Sequence, residues 1–153
     1  MRLVTFLAGG GTPHLGVVAG EQVVPIDGYT DMNSLLSAGS SVLADAERND
    51  GGEQSAKTKY SLSGVTLLAP VTRPGKIIAA GLNYRDHARE TKQPIPTTPI
   101  IFAKFPSSIN GPEGAVVLPG DDPQEDYEAE LAVVIGRRAK AVSESDALNH
   151  VAG

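Results

Sequence analysis

The chain has 153 residues, 41% of them hydrophobic, and a formal net charge of −5. That is enough apolar material for one packed domain, or for a small domain and part of another, and the chain is globular by composition. Its thirteen Lys and Arg residues form no basic stripe, which argues against a nucleic-acid partner, and no run approaches the roughly 18 apolar residues of a membrane span.

The opening Met1-Arg2-Leu3-Val4-Thr5-Phe6-Leu7 breaks into glycines before a secretory leader could form, so cytoplasm is the expected compartment. Residues 3–7, 15–18 and 22–26 are short apolar runs separated by Gly-rich turns, which predicts a small meander of hairpins. The stretch Ala8-Gly9-Gly10-Gly11-Thr12 lacks the Lys-Ser or Lys-Thr of a phosphate loop and is read as a turn, with His14 as a strand or turn residue. Asp31 is placed to cap a helix carrying Met32, Leu35 and Leu36 and stopped by Gly39, and a second helix is expected over 42–48. The polar, Gly-rich segment 49–57 has nothing to bury and reads as a surface loop, and 65–69 returns to strand character. A module boundary falls near residue 70, which divides the chain into a β-rich module with a helical insertion, 1–70, and a second part, 71–153.

Beyond Lys76 the texture changes. Ile77-Ile78-Ala79-Ala80 is a continuous apolar run ending in Gly81, as expected of a strand buried on both faces. It leads into Leu82-Asn83-Tyr84-Arg85-Asp86-His87-Ala88-Arg89-Glu90, where Asn83 can cap a helix with Asp86 three residues on. His87 and Glu90 then share one helical face within hydrogen-bonding reach, an arrangement in which the carboxylate could fix the imidazole tautomer and let it take a proton from water. A solvated helix that happens to carry a His is the plainer reading. The proline-rich 91–99 is a connector in preference to a lid, and 100–104 is a strand whose last residue, Lys104, could meet an anionic substrate or end in solvent. Residues 105–114 are turn-rich, 115–118 read as a strand, and 119–124 as an acidic loop. Ser107 and Ser108 lack the Gly-x-Ser-x-Gly setting of an acyl nucleophile.

The loop feeds Asp126-Tyr127-Glu128-Ala129-Glu130-Leu131-Ala132-Val133-Val134-Ile135, read as a strand with Tyr127, Ala129, Leu131, Val133 and Ile135 on one face. Glu128 and Glu130 start the other face, which ends in Ala132 and Val134, so two carboxylates stand at the mouth of a region predicted to be buried on both sides. Their Cα atoms would be roughly 6 to 7 Å apart, close enough to converge on one cation. With no cysteine in the chain, any metal site is built from oxygen and imidazole, and paired carboxylates suit Mg²⁺, Mn²⁺ or Ca²⁺. A solvated strand end is the alternative. Ser143, with Asp146 at the third position, opens a final helix through Ala147, Leu148 and Val151. Closing on a helix right after a strand buried on both faces leads us to expect an incomplete molecule.

Three motifs in order, Gly81-Leu82-Asn83-Tyr84-x-x-His87-x-x-Glu90, Pro99-Ile100-Ile101-Phe102-x-Lys104 and Tyr127-Glu128-x-Glu130-Leu131-x-x-Val134-Ile135-Gly136, resemble the fumarylacetoacetate hydrolase family in type and spacing. The resemblance covers 73–153 well, with the first 70 residues similar to the small variable N-terminal module of many members. It implies an α+β, mainly β fold, a mixed β-roll or sandwich, here incomplete, and a homodimer at full length. It implies that Glu128 and Glu130 are two of three carboxylate ligands of a catalytic Mg²⁺, with Mn²⁺ or Ca²⁺ in some members. His87 and Glu90 would be the water-activating dyad, and Lys104, Asn83 and Tyr84 would face the substrate. The implied activity is hydrolysis of a C–C bond in 2-oxo or 1,3-dicarbonyl acids of the acylpyruvate or fumarylpyruvate type. Decarboxylation or isomerisation in aromatic catabolism is the alternative within the same site, and a non-catalytic binding module the alternative of another class. A third acidic ligand and an active-site lysine come, in the family, from sequence after the helix that follows the Glu-x-Glu strand. These 153 residues alone are therefore expected to bind metal weakly and to turn over slowly or not at all.

Overall fold

The computed structural model describes residues 1–48, 58–120 and 124–153. The loop expected over 49–57 and residues 121–123 of the acidic loop lie outside the described residues. Two compact units are present, Met1–Val71 together with Asn110–Gly153, and Thr72–Ile109.

In the first unit the apolar runs form β1 (Leu3–Ala8), β2 (His14–Ala19) and β3 (Gln22–Ile26), joined as antiparallel neighbours. Gly20, at φ +58°, supplies the left-handed residue that lets two residues turn the chain from β2 to β3. After α1 (Met32–Ser37) and α2 (Ser40–Arg48), β4 (Tyr60–Ser61) and β5 (Val65–Leu68) complete an antiparallel sheet in the order β4-β3-β2-β1-β5. Pro25 lies past Gln22 and Val23, the two residues of β3 that β4 pairs, so the β4 ladder asks nothing of its missing N–H.

Alternation along the strands gives the sheet two apolar faces. Leu15 packs with Met32 and Leu35 of α1, and Leu3, Ile26, Leu36, Val42 and Leu43 extend that cluster. On the other face Phe6 is fully buried, with its ring against His14 and Tyr60. Gly16 is required here by closeness: a Cβ would lie 2.6 Å from Val23 Cγ1 and 3.0 Å from Phe6 Cε1. The buried hydroxyl of Thr5 is satisfied by donating to the Pro70 carbonyl at 2.7 Å. Asp31 caps α1 as expected, in a reciprocal box in which Ser34 N–H donates to Asp31 Oδ1 at 2.8 Å and Asp31 N–H donates to Ser34 Oγ.

In the second unit, β6 (Ile77–Gly81) and β7 (Ile100–Lys104) form an antiparallel ribbon whose register runs from Ile77↔Lys104 to Gly81↔Ile100. The expectation that β6 is buried on both faces does not hold: Ile78 is exposed, as are Ile100, Ile101 and Phe102 across from the strand. A two-stranded ribbon has too little surface of its own to cover its apolar side chains.

The C-terminal part of the first unit departs furthest from expectation. No strand forms over 124–134, and Tyr127 is 86% and Leu131 82% exposed, so the segment carrying Glu128 and Glu130 is neither a strand nor buried on two sides. A period-2 apolar pattern becomes a strand only where a neighbour accepts its hydrogen bonds, and pairing begins only at Val134 and Ile135. Residues 115–118 likewise form no strand. Asn110 Nδ2 donates to the Ala115 carbonyl at 3.0 Å, engaging by a side chain an acceptor a ladder would use. The last helix is 3-10, Glu144–His150, and Ser143 makes no capping bond because its hydroxyl pairs with Ser145. Val151 leaves that helix to bridge Ile135.

Candidate metal and acid–base residues

Of the residues singled out from the sequence, Asn83, Tyr84, His87, Glu90 and Lys104 lie in the unit Thr72–Ile109, and Glu128 and Glu130 in the other. Leu82 directs the chain out of β6. Its φ of +52° is left-handed, a conformation costly for a branched, bulky side chain, and it re-aims the backbone before α3 (Arg85–Glu90) begins. The turn displaces the helix start by one residue. Tyr84, not Asn83, is the N-cap, and no side chain caps the helix. Ala88 is the residue α3 buries, which leaves His87 and Glu90 exposed on the remaining surface.

His87 and Glu90 are three residues apart on α3 as predicted, but among the described residues no hydrogen bond joins their side chains. The ion pair on this helix is Arg89 Nη1 to Asp86 Oδ1, at 2.8 Å. In water an i,i+3 contact gains little over solvation, so an exposed His and Glu have no drive to close on each other. Lys92, at φ +55°, ends the helix in left-handed conformation, with Gln93 N–H donating back to the Ala88 carbonyl. Lys104 is exposed at the end of β7 that pairs with Ile77, away from the Gly81 end where the chain leaves for Asn83. Four residues of strand, about 13 Å, separate those ends.

Glu128 and Glu130 are both exposed. Oxygen donors of this kind fit a hard divalent cation, and they amount to two of its ligands: among the described residues no group of three or more His, Asp or Glu side chains could hold a metal. Two nearby features have no signature in the sequence. Gly136 lies against Ala152, and the His150 ring is largely enclosed, with Nδ1 buried and without a partner and Nε2 3.6 Å from Asp146 Oδ2. The Asp146 carboxyl is held below its ordinary value, first by the hydrogen bond from Asn149 and then by the His150 charge. No helix among the described residues is long and apolar enough to cross a membrane.

Comparison with known proteins places these residues in a family. Residues 76–153 match the family model described as fumarylacetoacetate (FAA) hydrolase C-terminal, and residues 1–70 match Rv2993c-like, N-terminal. The mitochondrial oxaloacetate tautomerase FAHD2A of Bos taurus is 42% identical over 164 residues, covering all of this chain and 50% of the relative. Maleylpyruvate hydrolase from Sphingobium sp. SYK-6, solved with manganese(II) and pyruvate, aligns with a TM-score of 0.75 at 28% identity, over 99% of this chain and 55% of that one. The fumarylacetoacetate hydrolase of Exiguobacterium antarcticum aligns with a TM-score of 0.73 at 26% identity, over 97% and 52%. The chain thus spans about half the length of the curated relatives it matches. Its mainly β fold with few helices agrees with these structures. Matched from residue 76 to its end by the family model and along its whole length by these relatives, the chain belongs to the fumarylacetoacetate hydrolase family.

Proposed function

We infer that this chain is part of a divalent-metal-dependent enzyme acting on 2-oxo or 1,3-dicarbonyl acids, with hydrolysis of a C–C bond in an acylpyruvate or fumarylpyruvate as its reaction. The observation that carries the reading is the pair Glu128 and Glu130, two oxygen ligands in a chain whose family relative was solved with manganese(II) and pyruvate. Such a cation, Mg²⁺, Mn²⁺ or Ca²⁺, when bound acts as a Lewis acid toward the 2-oxo group. The chain's own residues do the rest. Glu128 and Glu130 would hold the ion by charge. His87 takes a proton at a ring nitrogen, and Glu90, within one helical turn, stabilises the resulting imidazolium. Lys104 supplies a positive charge for a substrate carboxylate, and Asn83 and Tyr84, past the other end of β6, supply polar groups for another part of the substrate. We also assign 1–70 to an N-terminal module and 71–153 to the first part of the catalytic domain, in a full-length protein that works as a homodimer. The third acidic ligand belongs to the half of the relatives' length that this chain does not span.

A second reading has its own support. The 42% identity to the bovine tautomerase runs along the whole chain, which favours keto–enol isomerisation of a 2-oxo acid over bond cleavage. Both reactions use a polarised carbonyl and a base, and they part at which proton the base takes: that of the water adding to the carbonyl in cleavage, or that of the carbon beside the carbonyl in isomerisation. The test is product analysis with Mn²⁺ present, on a chain extended to the relatives' length. A cleaved acid pair from acylpyruvates supports the hydrolase, interconversion of enol and keto forms of oxaloacetate without cleavage supports the isomerase, and carbon dioxide supports decarboxylation. His87→Gln should lower kcat by about 10² or more while leaving metal affinity unchanged. If no product forms from any of these acids, the enzymatic reading fails.

A further inference from the structure

The segment bearing Glu128 and Glu130 is irregular from 124 to 134, and the first regular pairing it reaches is a small clasp with the end of the chain. There Val134 N–H donates to the Gly153 carbonyl at 2.7 Å and Ala152 N–H donates to the Val134 carbonyl at 2.8 Å. Gly136 and Arg137 N–H groups both donate to the His150 carbonyl, at 2.9 and 3.3 Å, around an antiparallel bridge between Ile135 and Val151. The 3-10 helix Glu144–His150 closes the intervening loop.

Gly136 is what lets the two pieces meet. Its φ is not in the left-handed region, so the backbone conformation does not demand glycine. The demand is spatial: a Cβ on Gly136 would lie 2.6 Å from Ala152 Cβ, closer than real side chains approach. We propose that this clasp is the positioning element of the carboxylate pair, with Gly136 and Ala152 as its contact. The proposal rests on Glu128 and Glu130 being metal ligands. Glu130 lies four positions from Val134 and Glu128 six, so the anchor bounds the first to within about 14 Å and the second to within about 21 Å of a fixed point. Ordering a flexible segment around an ion costs conformational entropy for every residue fixed. With the clasp closed, residues 134–137 are already ordered before the ion arrives. With it open, binding must order them too, and affinity falls.

The test measures Mn²⁺ affinity by the loss of the free ion's electron paramagnetic resonance signal at millimolar Mn²⁺, beside melting without metal. The chains, each extended to the relatives' length, are the parent, Glu128→Gln, Glu130→Gln, Gly136→Ala, Ala152→Val and the double variant Gly136→Ala/Ala152→Gly. Gly136→Ala should weaken Mn²⁺ binding by about tenfold or more, as supporting residues around metal ligands commonly do. The double variant, which removes the opposing methyl, should return affinity toward the parent's. Ala152→Val perturbs the same contact from the other side and stands in if Gly136→Ala fails to fold. A merely structural clasp would move the melting temperature without metal and leave the affinity of the folded protein where it was. If the carboxylate variants lose Mn²⁺ while Gly136→Ala and Ala152→Val bind it like the parent, the positioning role is wrong and the metal reading survives. If the parent binds no Mn²⁺, or the carboxylate variants bind as the parent does, the metal reading fails and takes the proposal with it.

Discussion

Replacing Glu128 or Glu130 by Gln separates a metal role from a structural one, because the structure assigns these side chains almost nothing else to do. Both are exposed, and the segment around them belongs to no helix or sheet. A carboxylate-to-amide change at such positions should alter stability without metal by no more than about 0.5 kcal/mol. With metal the expectation reverses. An ion that binds the folded state at ten times its Kd stabilises it by about 1.4 kcal/mol. For a chain of this length that corresponds to a rise in Tm of roughly 3 to 6 °C. The assay is a thermal melt of parent and variants, with and without millimolar Mg²⁺ and Mn²⁺. The parent should show the rise, and each variant should lose most of it while melting like the parent without metal. Equal metal-induced shifts in parent and variants would refute the assignment of the pair as ligands. A large loss of stability in the variants without metal would mean that the carboxylates hold the fold.

Gly16→Ala drives a methyl into Val23 and Phe6, with backbone of β3 also 3.0 Å away, so it should cost about 1 to 3 kcal/mol in urea unfolding. An unchanged midpoint would show that the sheet yields at this point. Asp31→Ala removes the α1 cap and should cost about 1 kcal/mol, and Asp31→Asn should restore most of it. Asp146 has its carboxyl pKa lowered in the folded state, so its contribution is fully present above the unfolded-state value near 3.8 and is lost as pH falls through the folded one. Melting curves between pH 5 and pH 3 should accordingly fall less steeply for Asp146→Asn than for the parent. Parallel curves would remove Asp146 from the account.

Local signals served where structure is local. The hairpin runs over β1, β2 and β3, their glycine turns, and the Asp31 cap with Leu35 four residues on were all readable, because alternation, turn chemistry and capping act over a few residues. Gly16 and Gly136 were not. Their need for a missing side chain comes from Val23 and Ala152, neighbours that pairing brings close and that no local rule identifies. The helix start slipped from Asn83 to Tyr84 for a similar reason, since nothing in the residue type of Leu82 announces a left-handed backbone.

By itself the sequence determined the family, through three spaced motifs, and the chemical types on offer: two carboxylates one strand period apart, a His and a Glu one helical turn apart, and no thiol. Tertiary structure decided whether those patterns became elements. Residues 126–133 alternate like a strand yet form none and stay exposed, while 134–137 pair with 150–153, because a strand is a relation between two segments. His87 and Glu90 share a face by helical geometry, but whether they hydrogen-bond depends on how far water is excluded around them, and on exposed α3 it is not.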